Sequence, residues 1–553
     1  MVEKRPFYRS GIFYILSGIL LIVVAGIIVW RFYKYKLVNK KLDQLVTTHS
    51  KGLYKISYQK LVIDEASGSI AAENVELLPD SVIFQTMIDK NTDPGNLFYI
   101  KIPKLLINGI KTPKALLTKE LSAHIVRIES PEIIIAVTSG KKSKRFDFGE
   151  YARGDMYRQL LGNFKSITAD SVMVDNASLV LIDKKSKQIQ IKATKVSLRF
   201  TGVSIDSIRN NDSSRILFSR DIGVYCGKMD LPGGPKEYTF QLSGFDFNTQ
   251  THSIHTGEIR IKPELSEAAF ARANKYATDR LDFRIGSLEL LHIDRNEFLM
   301  GIVKADTLKL TGASFRSFRD KSYPQDSVDR TKKYPHQAIM KLPVQVDIRT
   351  LLVPDAYVEY KEKSKQSDSS GRVAFYHVQA KFRHVTNILS SIKRNPIMSL
   401  DFRSSFLNET PFTVLLKMKL NDPDGHFTLD ASLQPIDAVL LNPLLKPMGL
   451  VELDRGKIEG LQYHLEATDT KGQGRLTLIY HDVKLKILKK NKDKNTYQAK
   501  VLPTLASRIV LKESNPKNGH TRIGEVEYKR DKYRSIFNMM WRSMFAAIKK
   551  VAL

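Results

Sequence analysis

Three places in the chain hold residue types from which chemistry is commonly built. His252 and His255 stand at a spacing seen in metal sites. Asp422 and Asp424, followed by Gly425, resemble the opening of a calcium loop. Cys226 is the only thiol and would be a nucleophile if a base were set beside it. None of the three is completed by its surroundings. The histidines lie in a Thr/Ser-rich run with no third ligand of the right type nearby. The aspartates lack the further ligand and closing glutamate of a calcium loop and sit between two alternating runs, which predicts a hairpin turn. Cys226 follows Tyr225 in a strand-like run with no paired base. The sequence also has no P-loop, no G-x-S-x-G elbow and no dinucleotide-binding glycine set. The expectation is a protein that is not an enzyme, with no catalytic residues, no metal and no cofactor.

The elements that would position a site begin with residues 11–30, GIFYILSGILLIVVAGIIVW, an uncharged stretch bounded by Arg9 and Arg31. Twenty residues at about 1.5 Å each span roughly 30 Å, the hydrocarbon thickness of a bilayer, so one transmembrane helix is expected there. A cleaved signal peptide would have a shorter apolar core and a small-residue cleavage site. Trp30 and Tyr33 fall where aromatic side chains meet the headgroups. Residues 1–10 then form a short tail and 31–51 a juxtamembrane helix. Lys4, Arg5 and Arg9 precede the span, whereas Arg31, Lys34, Lys36, Lys40 and Lys41 follow it, a count that favours a cytoplasmic body. That rule weakens when one long domain must be translocated.

The net charge of +29 is unevenly spread. From Lys484 to the end there are 18 basic and 5 acidic residues, an excess of 13, which calls for an anionic partner. A single cysteine excludes an intrachain disulfide framework.

Beyond residue 52 the dominant period is two. Phe412, Val414, Leu416, Met418 and Leu420 alternate with more polar positions such as Lys417 and Lys419. The turn Asn421-Asp422-Pro423-Asp424-Gly425 follows, and Phe427, Leu429, Ala431 and Leu433 alternate again. Leu461, Tyr463 and Leu465, then Leu476, Leu478 and Tyr480, extend the pattern into a meander. Helical spacing is confined to 38–50, 151–164, 266–276, 435–445 and 533–551. In the last of these, Ile536, Phe537, Met540, Trp541, Met544, Phe545, Ile548 and Val551 fill a broad apolar arc. Such a helix caps the end of the sheet or lies in a membrane interface through Trp541, Phe545, Lys549 and Lys550.

An irregular repeat underlies the body: Ile167-TADSVMVDNASLVL, Val303-KADTLKLTGASFRS and Val346-DIRTLLVPDAYVEY. Each places a hydroxyl (Ser171, Thr307, Thr350), two alternating apolar residues, then Asn, Gly or Asp before an alanine (Ala177, Ala313, Ala356). This spacing predicts strand, sharp turn or bulge, strand, and repeated hairpins along one axis are expected. Lys195-VSLRFTGV and His377-VQAKFRHV form a second echo.

With Lys55-ISYQKLVIDEASGSIAAENVELLPD and Leu453-DRGKIEGLQYHLEATDTKGQGRLTLIYHDVKLKIL, this pattern resembles the AsmA-like family of bacterial envelope proteins, related in architecture to TamB and the chorein-type bridge-like lipid-transfer proteins. The resemblance implies a mostly β fold: a long twisted antiparallel sheet of repeated hairpins, residues 52–531, curled into a groove, with a C-terminal amphipathic helix at 532–553. It also implies binding or movement of phospholipid between membranes, outer-membrane biogenesis, and an inner-membrane anchor at 11–30 with the body in the periplasm, against the charge count. Such a groove would be lined by Val172, Val174, Leu308, Leu310, Val414, Leu416, Met418, Leu476 and Leu478. A second membrane or a protein partner would meet the C-terminal helix. Nucleic acid is not expected, because the basic residues accompany an apolar helix and no nucleic-acid module appears. The alternative is an envelope assembly factor of the same fold, with a protein client and a core filled by its own side chains.

Overall fold

The computed structural model describes residue 47 and residues 50–553 other than 65, 91–95, 111–117, 138–164, 209–211, 213, 216–217, 233–237, 300, 366, 368, 492–495 and 500–511. The expected span at 11–30, most of the helix at 31–51 and the helical pattern at 151–164 lie outside these residues. Among the described residues no helix is long and apolar enough to cross a membrane.

The fold is mostly β, 60% strand against 14% helix. In chain order the strands are β1 (Tyr54–Ser57), β2 (Lys60–Asp64), β3 (Ser69–Pro79), β4 (Asn96–Asn108), β5 (Glu120–Glu129), β6 (Glu132–Val137), β7 (Ser166–Asp183), β8 (Ile189–Asp206), β9 (Asp221–Pro232), β10 (Tyr238–Asn248), β11 (Ser253–Thr256) and β12 (Ile259–Pro263). They continue as β13 (Arg280–Ile285), β14 (Ser287–Ile293), β15 (Ile302–Thr311), β16 (Ala313–Asp320), β17 (Gln345–Val353), β18 (Ala356–Lys363), β19 (Ser370–Thr386) and β20 (Ile397–Phe406). The last are β21 (Thr410–Lys419), β22 (Phe427–Leu433), β23 (Ile436–Asp437), β24 (Val451–Ala467), β25 (Lys471–Asn491), β26 (Thr496–Ala499) and β27 (Ile523–Lys529). The α-helices among the described residues are α1 (Ser81–Asp89), α2 (Glu267–Ala273), α3 (Arg295–Leu299), α4 (Pro335–Ile339), α5 (Leu389–Arg394), α6 (Asn442–Gly449) and α7 (Ile536–Ala552). The chain divides into an N-terminal body, up to Ile259 with His292–Gly301, and a C-terminal body, Arg260–Leu291 with Ile302–Leu553.

Each body is a mixed sheet, which corrects the all-antiparallel expectation. Strands β5 and β6 both pair parallel with β7, and β15 and β16 pair parallel with β17 and β18. Parallel neighbours need a crossover long enough to carry the chain back. The stretches 138–165 and 321–344 supply that length.

The same pairings redefine the repeat. The segments starting at Val303 and Val346 lie side by side in their sequence alignment, with Val303 opposite Val346, Thr307 opposite Thr350 and Ala313 opposite Ala356. Since β15 and β16 run the same way along that neighbour, the unit is one long strand with a bend, not a hairpin. In two of the copies the residue before the alanine makes the bend: Asn176 and Gly312 take left-handed backbone conformations, φ 53° and 62°, whereas Asp355 does not. In β19 and β8 the second echo is bent at the residue before its valine, His377 (φ 51°) and Lys195 (φ 54°). A fourth copy, missed in the sequence, pairs with the first. Leu121, Ile128 and Ile133 lie opposite Ile167, Val174 and Leu179. Its Ile125 replaces the hydroxyl and Pro131 the alanine, while Ser130 still bends at φ 49°.

The predicted turn at Asn421–Gly425 does join a hairpin, with Phe412 opposite Leu433 and Met418 opposite Phe427. Helical spacing found α2 and α7 and only the start of α6, since the expected stretch 435–445 begins with β23 and a 3-10 turn; it did not find α1, α3, α4 or α5, of which all but α1 are short. A signal for α1 was present in Asp80, whose Oδ1 accepts from the Val82 and Ile83 amides at 3.0 and 3.2 Å.

Candidate functional site

Alternation along each strand puts every second residue on one face, and the register then joins those residues across strands. In the N-terminal body one such row runs Ile70, Ile107, Val126, Val172, Phe200, Ile222. A second runs Ala72, Leu105, Ile128, Val174, Leu198. Val174 and Val126 are fully buried, and the rest of both rows is buried with them in one apolar cluster. The expected lining residues Val172 and Val174 are thus packed among side chains of the body's own strands.

The C-terminal body repeats the arrangement. Its first row runs Leu308, Leu351, Phe382, Leu400, Leu416, Leu429, Leu465. Its second runs Val353, Ala380, Phe402, Val414, Ala431, Tyr463, Leu476. Here burial is graded. Leu465 and Leu476 are fully buried and Leu416 and Leu429 nearly so, whereas Leu308, Leu310, Leu351, Phe382, Leu400, Phe402 and Val414 are only half-buried. Phe375 extends the half-buried face past the bend. It meets Phe402, Phe406 and Phe412 at ring-centroid distances of 5.9, 5.6 and 5.4 Å, geometry that aromatic clusters favour. Beyond Leu308 and Leu351 the same face turns polar, where Arg349 Nη2 lies 3.1 Å from Asp306 Oδ1. At a strand spacing of about 4.8 Å, the half-buried part of the rows, β15 to β21, measures roughly 15–20 Å. Half of a bilayer's hydrocarbon core is about 15 Å, so the strip matches one acyl chain in length.

The other expected lining residues, Met418 and Leu478, are buried where the C-terminal body is closed. Helix α7 closes it. Ser543 Oγ is 2.8 Å from Tyr463 Oη, and Gly472 leaves room for the Met539 methyl. Gly524 abuts the Ala547 carbonyl, an approach that any Cβ would obstruct. Burial pushes the Tyr463 phenol up to about 12, with the Ser543 bond opposing. Trp541 is exposed, Phe545 half-buried, and Lys549 and Lys550 exposed. Trp30 and Tyr33 lie outside the described residues.

Beside this closed end sits a polar latch that the sequence did not reveal. The Asp469 carboxylate accepts from Arg530 Nη1, from Gln337 Nε2 at 2.7 Å and from the Lys332 amide at 2.9 Å. The Arg530 guanidinium lies 4.2 Å over the Tyr334 ring, and His336 is fully buried alongside. Arg330 in turn holds Asp326 down to about 2 through a paired carboxylate contact. Asp469 lies 61 residues from Arg530, 132 from Gln337 and 137 from Lys332, so no local spacing marks this cluster.

His255, Asp422 and Cys226 have ordinary surroundings. His255 Nε2 meets Ser253 Oγ at 3.1 Å, and Asp422 Oδ1 accepts from the Asp424 amide at 2.9 Å inside its turn. Burial pushes the Cys226 thiol up, away from the thiolate. Among the described residues no group of three His, Cys, Asp or Glu is placed to hold a metal. What the half-buried strip presents is apolar side-chain area, from Leu308, Leu351, Phe382, Leu400 and Phe402. No family model and no curated protein matches the chain.

Proposed function

We propose that this chain is a membrane-anchored, AsmA-like envelope protein that binds phospholipid and moves it along the apolar face of its β-sheet. Residues 11–30 would hold it in the inner membrane, with the body in the periplasm. The observation that supports the reading is the half-buried strip of the C-terminal body, where Leu308, Leu351, Phe382, Leu400 and Phe402 keep part of their apolar area in contact with solvent. Apolar area left in water costs about 25 cal/mol per Å², so a contiguous face of this length favours an apolar occupant.

The test is native extraction of the full chain followed by lipid mass spectrometry, beside residues 1–51 alone and the variant Leu351→Asp. The expected result is lipid in excess of what the anchor retains, and loss of that excess in Leu351→Asp while the variant stays folded. No excess in the wild type would favour the second reading, an assembly factor with a self-filled core. The N-terminal body supports that reading, since its equivalent rows are buried throughout.

A further inference from the structure

The two faces of α7 are used differently. Ile536, Met539, Ser543, Ala547 and Val551 are buried on the sheet side. Outward, Phe537, Trp541 and Phe545 follow one another at four-residue intervals, one helical turn each. Phe537 is 73% exposed and Trp541 40%, and the Trp541 and Phe545 rings are stacked at 6.1 Å between centroids. Lys549 continues the line with Nζ 4.9 Å above the Phe545 ring, and Arg542 lies beside it. The helix contains no Asp or Glu.

We infer that this outer face docks on an anionic bilayer surface, the rings entering at headgroup depth while Arg542, Lys549 and Lys550 sit over lipid phosphates. Charge selects the occupant. A ridge of aromatic rings flanked by cations, with no carboxylate on the helix, complements an interface in which anionic headgroups lie immediately above hydrocarbon. Because the inner face is fixed by the Tyr463–Ser543 bond and the close approach at Gly524, the helix stays on the sheet and only its outward rings enter the bilayer. The inference does not depend on lipid occupying the half-buried strip.

The test uses the full chain with its anchor held in amphipol, carrying Trp30→Phe so that Trp541 is the only indole. Vesicles are phosphatidylcholine alone or phosphatidylcholine with phosphatidylglycerol. Co-sedimentation is expected with the anionic vesicles only and should weaken with salt, while Trp541 emission shifts to the blue. Lys549→Glu with Lys550→Glu should weaken sedimentation by about tenfold or more. Phe537→Ser with Phe545→Ser should abolish it at an unchanged melting temperature; if that variant melts early, the charge reversal decides alone. Equal binding to both vesicle types, variants that bind as wild type, or an unmoved Trp541 would overturn the inference and leave the ridge to a protein partner. Lipid content measured by the extraction above keeps the two proposals separate, since docking and lipid retention can each be lost without the other.

Discussion

Val172, Val174, Leu198 and Phe200 of the N-terminal body occupy the same motif positions as Leu351, Val353, Ala380 and Phe382 of the C-terminal body. The pairing is also the same: Val172 faces Phe200 as Leu351 faces Phe382, and Val174 faces Leu198 as Val353 faces Ala380. Yet the first four are buried and the second four half-buried. Alternation thus decides which face is apolar, while cover is decided by what arrives from elsewhere in the chain. In the C-terminal body α7, at the far end of the sequence, covers β24 and β25, and α6 packs on β19 at Gly371, while Leu308, Leu351, Phe382 and Phe402 stay half-buried. A face that is apolar, registered and only partly covered leaves area that a binding surface could use. A face of the same design that is fully packed is a core.

The sharpest way to break this comparison is to place a carboxylate at the paired positions. Val174→Asp buries a charge with no partner, a cost of several kcal/mol against a typical stability of 5–15, and should unfold the N-terminal body. Val353→Asp leaves its carboxylate access to water and should cost about 1–2 kcal/mol. Urea denaturation read by limited proteolysis distinguishes the bodies. Equal losses at the two sites would mean that the C-terminal strip is as filled as the N-terminal rows.

A somewhat smaller effect is expected at the latch, which locates stability in the C-terminal body away from its half-buried strip. Asp469→Ala strands the buried Arg530 and frees Gln337 and the Lys332 amide, a loss of about 3–5 kcal/mol. Leu351→Asp, by contrast, should cost no more than the about 1–2 kcal/mol expected at Val353. A latch variant that melts like wild type would show that α7 and the apolar rows hold the closed end by themselves.

The alternating period made the β class legible, and the Asn421–Gly425 hairpin could be read from its turn residues. The repeat was visible as well, and its alignment coincides with the register in which Val303 pairs with Val346. Its geometry was not, because a left-handed residue such as Asn176 or Gly312 serves a hairpin or a bend equally well. Only the crossover lengths distinguish the two, through the parallel partner they permit. Val172, Val174, Leu308, Val414, Leu416 and Leu476 stand on apolar rows, but sequence could not say that Val174 is enclosed and Leu308 half-open, since cover is a long-range property. For the same reason Asp469, Arg530 and His336 carried no signal.

The smallest predicted effect uses that last residue as a probe of how tightly the closed end is sealed. Burial lowers the pKa of His336, with Asp469 and Asp422 opposing. The unfolded chain therefore takes up a proton below about pH 6.5 while the folded chain resists it. Stability is unaffected above that pH and falls as pH drops toward the lowered folded value, by at most about 1.4 kcal/mol per pH unit. Asp326, held down to about 2 by Arg330, loses its own contribution only below the ordinary carboxylate range, so the windows do not overlap. His336→Gln should flatten the melting profile between about pH 6.5 and 5, leaving the slope below pH 4 in place. If the profile keeps its slope in the variant, water reaches the imidazole, and the closed end is no better sealed than the strip across β15 to β20.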